Sequence, residues 1–207
     1  MLKQRIITAA IGIPLLLGLI WLGGWWLRGL LLLLALVGGY EYWRLVWAMP
    51  ARSRLLWLVG GWAYILLGFL AFWGVRQEGG IIWLLLVIWL TDSAAYSIGR
   101  RWGRHKMAPR ISPHKSWEGA IAGAGAGTVF GAMFATLALQ TELLPALLIS
   151  LAVSGLGQVG DLAESKVKRL AGVKDSGRLL PGHGGVLDRF DSLLLSSMFM
   201  YLFLLLI

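Results

Sequence analysis

Near the C-terminal end of this 207-residue chain, the stretch Ser165–Asp191 (SKVKRLAGVKDSGRLLPGHGGVLDRFD) gathers residues able to handle phosphates and a metal ion. It sets Lys166, Lys168, Arg169, Lys174, Arg178 and Arg189 against Asp175, Asp188 and Asp191, with His183 among glycines. Asp161, Glu164, Ser165 and Lys168 fall at i, i+3, i+4 and i+7, so a helix continued through them carries all four on one face. Carboxylates in a chain with no cysteine and only 3 histidines suit Mg²⁺ rather than Zn²⁺. Mg²⁺ usually takes one or two protein carboxylates and fills its shell with water and substrate phosphate. Ordinary interfacial salt bridging accounts for some of these charges, but less readily for acidic groups flanking a glycine-rich loop. That loop, Pro181–Gly185, offers backbone N–H groups for close approach to an anion. A helix expected from about Val186 would turn its N-terminus toward a phosphate. The usual nucleotide motifs are absent. There is no G-x-x-x-x-G-K-[ST], and the GAGAG at 123–127 lacks the G-x-G-x-x-G spacing.

The rest of the chain must hold this polar island in a greasy setting. Apolar residues make up 58% and charged residues 14%, against roughly a quarter charged in a soluble domain. The expectation is an all-α polytopic integral membrane protein with about seven transmembrane helices and a cytoplasmic N-terminus. The spans run over about 6–22, 29–47, 55–75, 81–98, 117–139, 143–162 and 192–207, with a short turn at 23–28. The start, MLKQRIITAAIGIPLLLGLIW, resembles a signal peptide but reads as an uncleaved first span, because no small-x-small site follows it. The whole forms a single transmembrane domain, residues 1–207. Its N-terminal spans occupy 1–80 and its catalytic half 81–207, with cytoplasmic loops at 99–115 and 164–191. This topology places all but Arg28 and Arg76 of the 19 Lys and Arg residues on the cytoplasmic side, a strong positive-inside bias. The net charge of +9 fits that bias as well as it fits binding of anionic substrate. No basic module stands clear of the spans, so nucleic acid is not an expected partner.

Two helices carry further marks. Asp92 lies in the fourth span, where a carboxylate costs roughly 2.5–3.5 kcal/mol on insertion scales, and Ser93, Tyr96 and Ser97 extend its polar surface toward the basic loop. Gly119, Gly123, Gly127 and Gly131 form one ridge of the fifth span and read as a close-packing face. Between these spans, the loop offers Arg100, Arg101, Arg104, Lys106, Arg110, His114 and Lys115. Such a loop at headgroup depth fits an anionic lipid, and it fits plain positive-inside bias too. Ser116 is placed to cap the fifth helix, with Glu118 one residue short of a capping box.

The pattern S-x-x-K-R-x₄-K-D-x-G-x₂-L-P-x-H-G-G-x-x-D-R-x-D resembles that of phosphatidate cytidylyltransferases, also called CDP-diacylglycerol synthases. It runs here through Ser165, Lys168, Arg169, Lys174, Asp175, Gly177, Leu180, Pro181, His183, Gly184, Gly185, Asp188, Arg189 and Asp191. Asp92–Tyr96 and Ser112–Gly119 are also similar to the family. The resemblance implies transfer of a cytidylyl group from CTP to phosphatidate, with Mg²⁺, giving CDP-diacylglycerol and pyrophosphate. It implies Asp161 and Asp188 as metal ligands, with Asp92 and Asp191 next and room for a second cation. Lys168, Arg169, Lys174 and Arg189 would hold phosphates, Lys115 and Arg110 the lipid phosphate, and His183 the leaving pyrophosphate. Ser165, Asp175, Gly184 and Gly185 complete the expected substrate site. The implied setting is the bilayer of a bacterial inner membrane, with the site facing the cytoplasm and room for a homodimer. Against the family, the chain looks about two spans short, an even number that preserves the orientation of everything downstream. The alternatives are a CTP-dependent polyprenol or phytol kinase, or a non-catalytic, transporter-like relative.

Overall fold

A computed structural model of the chain describes residues 2–50, 53–179, 182 and 184–206. Seven helices follow one another: α1 (Leu2–Leu22), α2 (Gly24–Ala48), α3 (Arg54–Gln77), α4 (Ile81–Trp102), α5 (Trp117–Ala138), α6 (Leu143–Leu170) and α7 (Leu187–Leu204). Among the described residues, α2 to α6 are long and apolar enough to cross a membrane. The apolar part of α1, Ala10–Leu22, is shorter. Three charged residues, Asp188, Arg189 and Asp191, sit in the first five positions of α7.

The burial pattern is that of a protein solvated by lipid. Large apolar side chains such as Leu32, Leu33, Leu66, Leu70, Ile121 and Leu148 point outward, while Thr91, Ser150, Ser154, Ser192, Ser196 and Ser197 are buried. Since hydrocarbon gives no apolar drive for helix association, small residues and interhelical hydrogen bonds provide the contact. Thr91 and Ser154 share a 2.7 Å hydrogen bond, and the Trp83 indole donates to Ser150 Oγ at 2.8 Å. The glycine ridge of α5 packs on α4 as its spacing predicts. A Cβ at Gly119 would lie 2.6 Å from the Ala95 carbonyl oxygen, and one at Gly123 would lie 2.7 Å from that of Thr91.

Two details differ from the sequence expectation. The turn expected at 23–28 shrinks to a break at Gly23, where Gly23 and Gly24 have φ of 64° and 54°. Arg76 fastens that break by donating to the carbonyls of Ile20 and Trp21. The loop expected at 99–115 is partly ordered. Helix α4 continues to Trp102, and an antiparallel hairpin follows, β1 (Lys106–Ala108) with β2 (Ser112–Ser116). As expected from the sequence, α6 runs on past its apolar part, to Leu170, and α7 begins at Leu187, next to Val186. Ser116 caps α5 as its position predicts, accepting from Gly119 N at 3.2 Å. Glu118 instead reaches across the hairpin to the backbone N–H and ring of His105.

Candidate active site

Helix α6 brings its charged face to the end of the bundle, where α7 begins. Lys168 Nζ lies 2.6 Å from Asp188 Oδ1 and 2.5 Å from Glu164 Oε2. The i, i+4 spacing on a continued helix supplies the second pair, and the first residues of α7 supply the other carboxylate. Asp188 Oδ2 accepts from Ser176 N at 2.9 Å, Ser176 Oγ at 3.0 Å and Gly185 N at 2.8 Å. The loop between α6 and α7 is thus folded around one carboxylate. Gly184 has φ of 87°, and a Cβ there would lie 2.6 Å from Asp188 Oδ2, so only glycine fits so close a turn.

Glu41 of α2, only 4% exposed, grips the same loop from the other side. It accepts from Ser176 Oγ, Val186 N and Leu187 N, each at 3.0 Å. Glu41 is not among the site residues expected from the sequence. The available signal was an acidic residue inside the apolar run of 30–47, the same signal that picked out Asp92. Its grip also corrects one expectation. The first amides of α7 do not face a phosphate, because Glu41 occupies them, and the Gly185 amide is taken by Asp188.

Three cavities surround this network. The first, about 590 Å³, lies between α4, α6 and the hairpin and is lined by Asp92, Arg100, Lys106, His114, Lys115 and Asp161. In its wall Lys115 Nζ is 2.6 Å from Asp161 Oδ2, and Ser165 Oγ donates to Asp161 Oδ1 at 3.3 Å. The second, about 710 Å³, is lined by Arg44 of α2 and by Lys174, Asp175 and Arg178 of the loop. The third, about 440 Å³, is mostly apolar and lies among α2, α3, α6 and α7, with Glu164 and Asp191 among its lining. Asp92, Glu164 and Asp191 all lie within electrostatic reach of Asp161.

The remaining expected site residues fall as follows. Arg169 donates to the carbonyls of Ile111 at 3.1 Å and Val173 at 2.9 Å, tying the hairpin to the end of α6 rather than presenting a free guanidinium. Arg110, Arg189, Lys174 and Asp175 are exposed. His183, Leu180 and Pro181 of the glycine loop lie outside the described residues. Among the described residues, no three of His, Asp and Glu converge as a ready metal cage. The donor set still suits Mg²⁺, which needs one or two carboxylates. Glu164 pairs with Lys168 through Oε2, and its buried Oε1 has no hydrogen-bond partner among the described residues, so that oxygen is open to a cation. At Asp188 a metal would have to share Oδ1 with Lys168 or displace it.

The sequence pattern of the cytidylyltransferase family matches residues 3–81 and 70–207. The chain belongs to that family. The two matched stretches overlap at 70–81, where α3 ends and α4 begins. A phosphatidate cytidylyltransferase of Staphylococcus epidermidis is 45% identical over 128 residues, which cover 60% of this chain and 49% of that protein. The Brucella suis enzyme of the same name is 47% identical over 123 residues, covering 59% of this chain and 46% of its own length. The chain spans about half the length of the curated relatives it matches.

The network predicts unequal effects of removing two lysines. Lys168→Met leaves Asp188 and Glu164 as buried, unpaired charges, a loss of about 3–5 kcal/mol in stability. Lys115→Met breaks a pair whose side chains keep 26% and 30% of their exposure, costing under about 1 kcal/mol. Thermal unfolding in detergent checks this, and equal shifts for the two variants would contradict it.

Proposed function

We propose that this family member is a phosphatidate cytidylyltransferase, joining CTP and phosphatidate to give CDP-diacylglycerol and pyrophosphate. The observation that carries the reading is the buried Lys168–Asp188–Ser176 network at the heart of the Ser165–Asp191 motif, set between cation-lined cavities and an apolar cavity among the membrane helices. An amphipathic lipid phosphate and a nucleotide triphosphate need such neighbouring surfaces. In the proposed reaction an oxygen of the phosphatidate phosphate forms a bond to the α-phosphorus of CTP. The bond from that phosphorus to the bridging oxygen breaks, and pyrophosphate leaves on the opposite side.

No protein nucleophile is required, so the residues act by positioning and charge neutralisation. Each pair of unit anions at 4 Å repels by roughly 4 kcal/mol at an effective dielectric of 20. Lys115, with Arg100 and Lys106 in the same wall, offsets that repulsion at the lipid phosphate. Lys174, Arg178 and Arg44 do so at the nucleotide. Asp161 and Asp188 would hold Mg²⁺, with Asp92 and Asp191 beside them. When bound, the ion supplies positive charge to the phosphates. The apolar cavity next to Glu164 and Asp191 suits acyl chain, which keeps water from that side. In the proposed topology the loop and hairpin face the cytoplasm, the side that holds CTP.

In detergent with Mg²⁺, the wild-type protein is expected to convert CTP and phosphatidate to CDP-diacylglycerol, detected by mass spectrometry. Asp161→Asn should lower kcat/KM about 100-fold or more. No product from the wild type across lipid conditions, or near-normal turnover in Asp161→Asn, would contradict the reading. Because the chain has no cysteine, single cysteines report sidedness. Lys174→Cys should react with a membrane-impermeant maleimide only after lysis, and Gln140→Cys should react in intact cells. The reverse pattern would overturn the orientation.

A further inference from the structure

Glu41 is a carboxylate buried in a membrane helix, and among the described residues no cation is one of its hydrogen-bond partners. Its partners are two backbone amides at the start of α7 and one serine hydroxyl. Helix α7 has no side-chain cap of its own at Val186. Its exposed amides carry the positive end of the helix dipole, and a carboxylate there is stabilised. Glu41 therefore caps α7 from a helix 145 residues earlier in the chain. The fit is close on all sides. A Cβ at Gly185 would lie 2.5 Å from both Glu41 oxygens, and one at Gly177 would lie 2.9 Å from its carboxyl carbon. Ser176 Oγ lies 3.0 Å from Glu41 Oε2 and 3.0 Å from Asp188 Oδ2, so its one proton can be donated to either carboxylate. One turn beyond Glu41 on the same helix, Arg44 lines the cavity completed by Lys174, Asp175 and Arg178.

We infer that Glu41 is a positioning residue for the nucleotide site: it fixes the α6–α7 loop against α2, so that Lys174 and Arg178 meet Arg44 across one cavity and Asp188 is held in register. Glu41 touches no reacting atom in this scheme. The inference rests on the cytidylyltransferase reading for its catalytic consequence, but not for its structural one. Isosteric Glu41→Gln keeps the volume while setting an amide NH₂ against N–H and O–H donors, with one acceptor oxygen left. The loop is then released from α2 while the α4–α6 packing, which Glu41 does not touch, is kept.

The test compares wild type, Glu41→Gln, Glu41→Asp and Ser176→Ala as full-length protein in detergent. Trypsin cleavage after Lys174 and Arg178 reports loop position, thermal unfolding reports the bundle, and kcat and KM for CTP report the site. Glu41→Gln is expected to raise the loop cleavage rate and the KM for CTP, each at least about tenfold, as loss of charge-assisted hydrogen bonds would give. The unfolding temperature of the bundle should change little. Glu41→Asp, which keeps the charge on a shorter arm, should fall between Glu41→Gln and wild type. Wild-type cleavage and KM in Glu41→Gln would overturn the inference. If Glu41→Gln does not fold, Ser176→Ala must still speed cleavage, and an unchanged rate there would overturn it as well. If wild type makes no product, the cytidylyltransferase reading fails on its own, and the cleavage comparison still decides the role of Glu41.

Discussion

Lys168 stands between two carboxylates in a place where water cannot screen them, and the polar end of the bundle depends on that arrangement. At 8% exposure it is the buried cation of the site, paired to Glu164 within its own helix and to Asp188 on the next. A buried charge is tolerable only when paired and hydrogen-bonded. Asp188 meets that condition through Lys168, two backbone amides and the Ser176 hydroxyl. The same contacts that neutralise it also give the α6–α7 loop its shape. Charge balance and loop geometry are one constraint here.

The consequence for substrate binding is a division of labour. The loop amides and the start of α7 already serve Asp188 and Glu41, so the protein's own carboxylates fill the positions an anion would otherwise take. In the proposed reaction, substrate phosphates would then meet side-chain cations. Those line the two cavities on either side of the network: Arg100, Lys106 and Lys115 in one, Arg44, Lys174 and Arg178 in the other. The N-terminal helices are part of this design, since both Glu41 and Arg44 come from α2.

Local features were legible in the sequence because their physics is local. The i, i+4 pair of Glu164 and Lys168, the Ser116 cap and the glycine ridge each follow from helical spacing, and each is present. The order of the seven helices followed from hydropathy. The uses of the glycine loop did not, because the carboxylate that closes it is supplied by α2. Spacing within Pro181–Gly185 signals open backbone amides, but it cannot say that Asp188 already holds that of Gly185 and Glu41 those of Val186 and Leu187. The hairpin at 106–116 was missed because basic residues and two prolines in 99–115 resemble an irregular loop, while its order comes from pairing between strands and from the Glu118–His105 contact. Arg169, which the family motif implies as a phosphate ligand, also donates to carbonyls on two separate segments, contacts that spacing along the chain does not announce.

In the proposed reaction the lipid phosphate attacks the α-phosphorus of CTP at this site. The most direct measurement follows the label from two forms of CTP incubated with the wild-type protein, Mg²⁺ and phosphatidate. With the α-phosphate labelled, the label should appear in the lipid product. With the γ-phosphate labelled, it should appear only in pyrophosphate. Label from the γ-phosphate entering lipid would show phosphoryl rather than cytidylyl transfer and would contradict the claim.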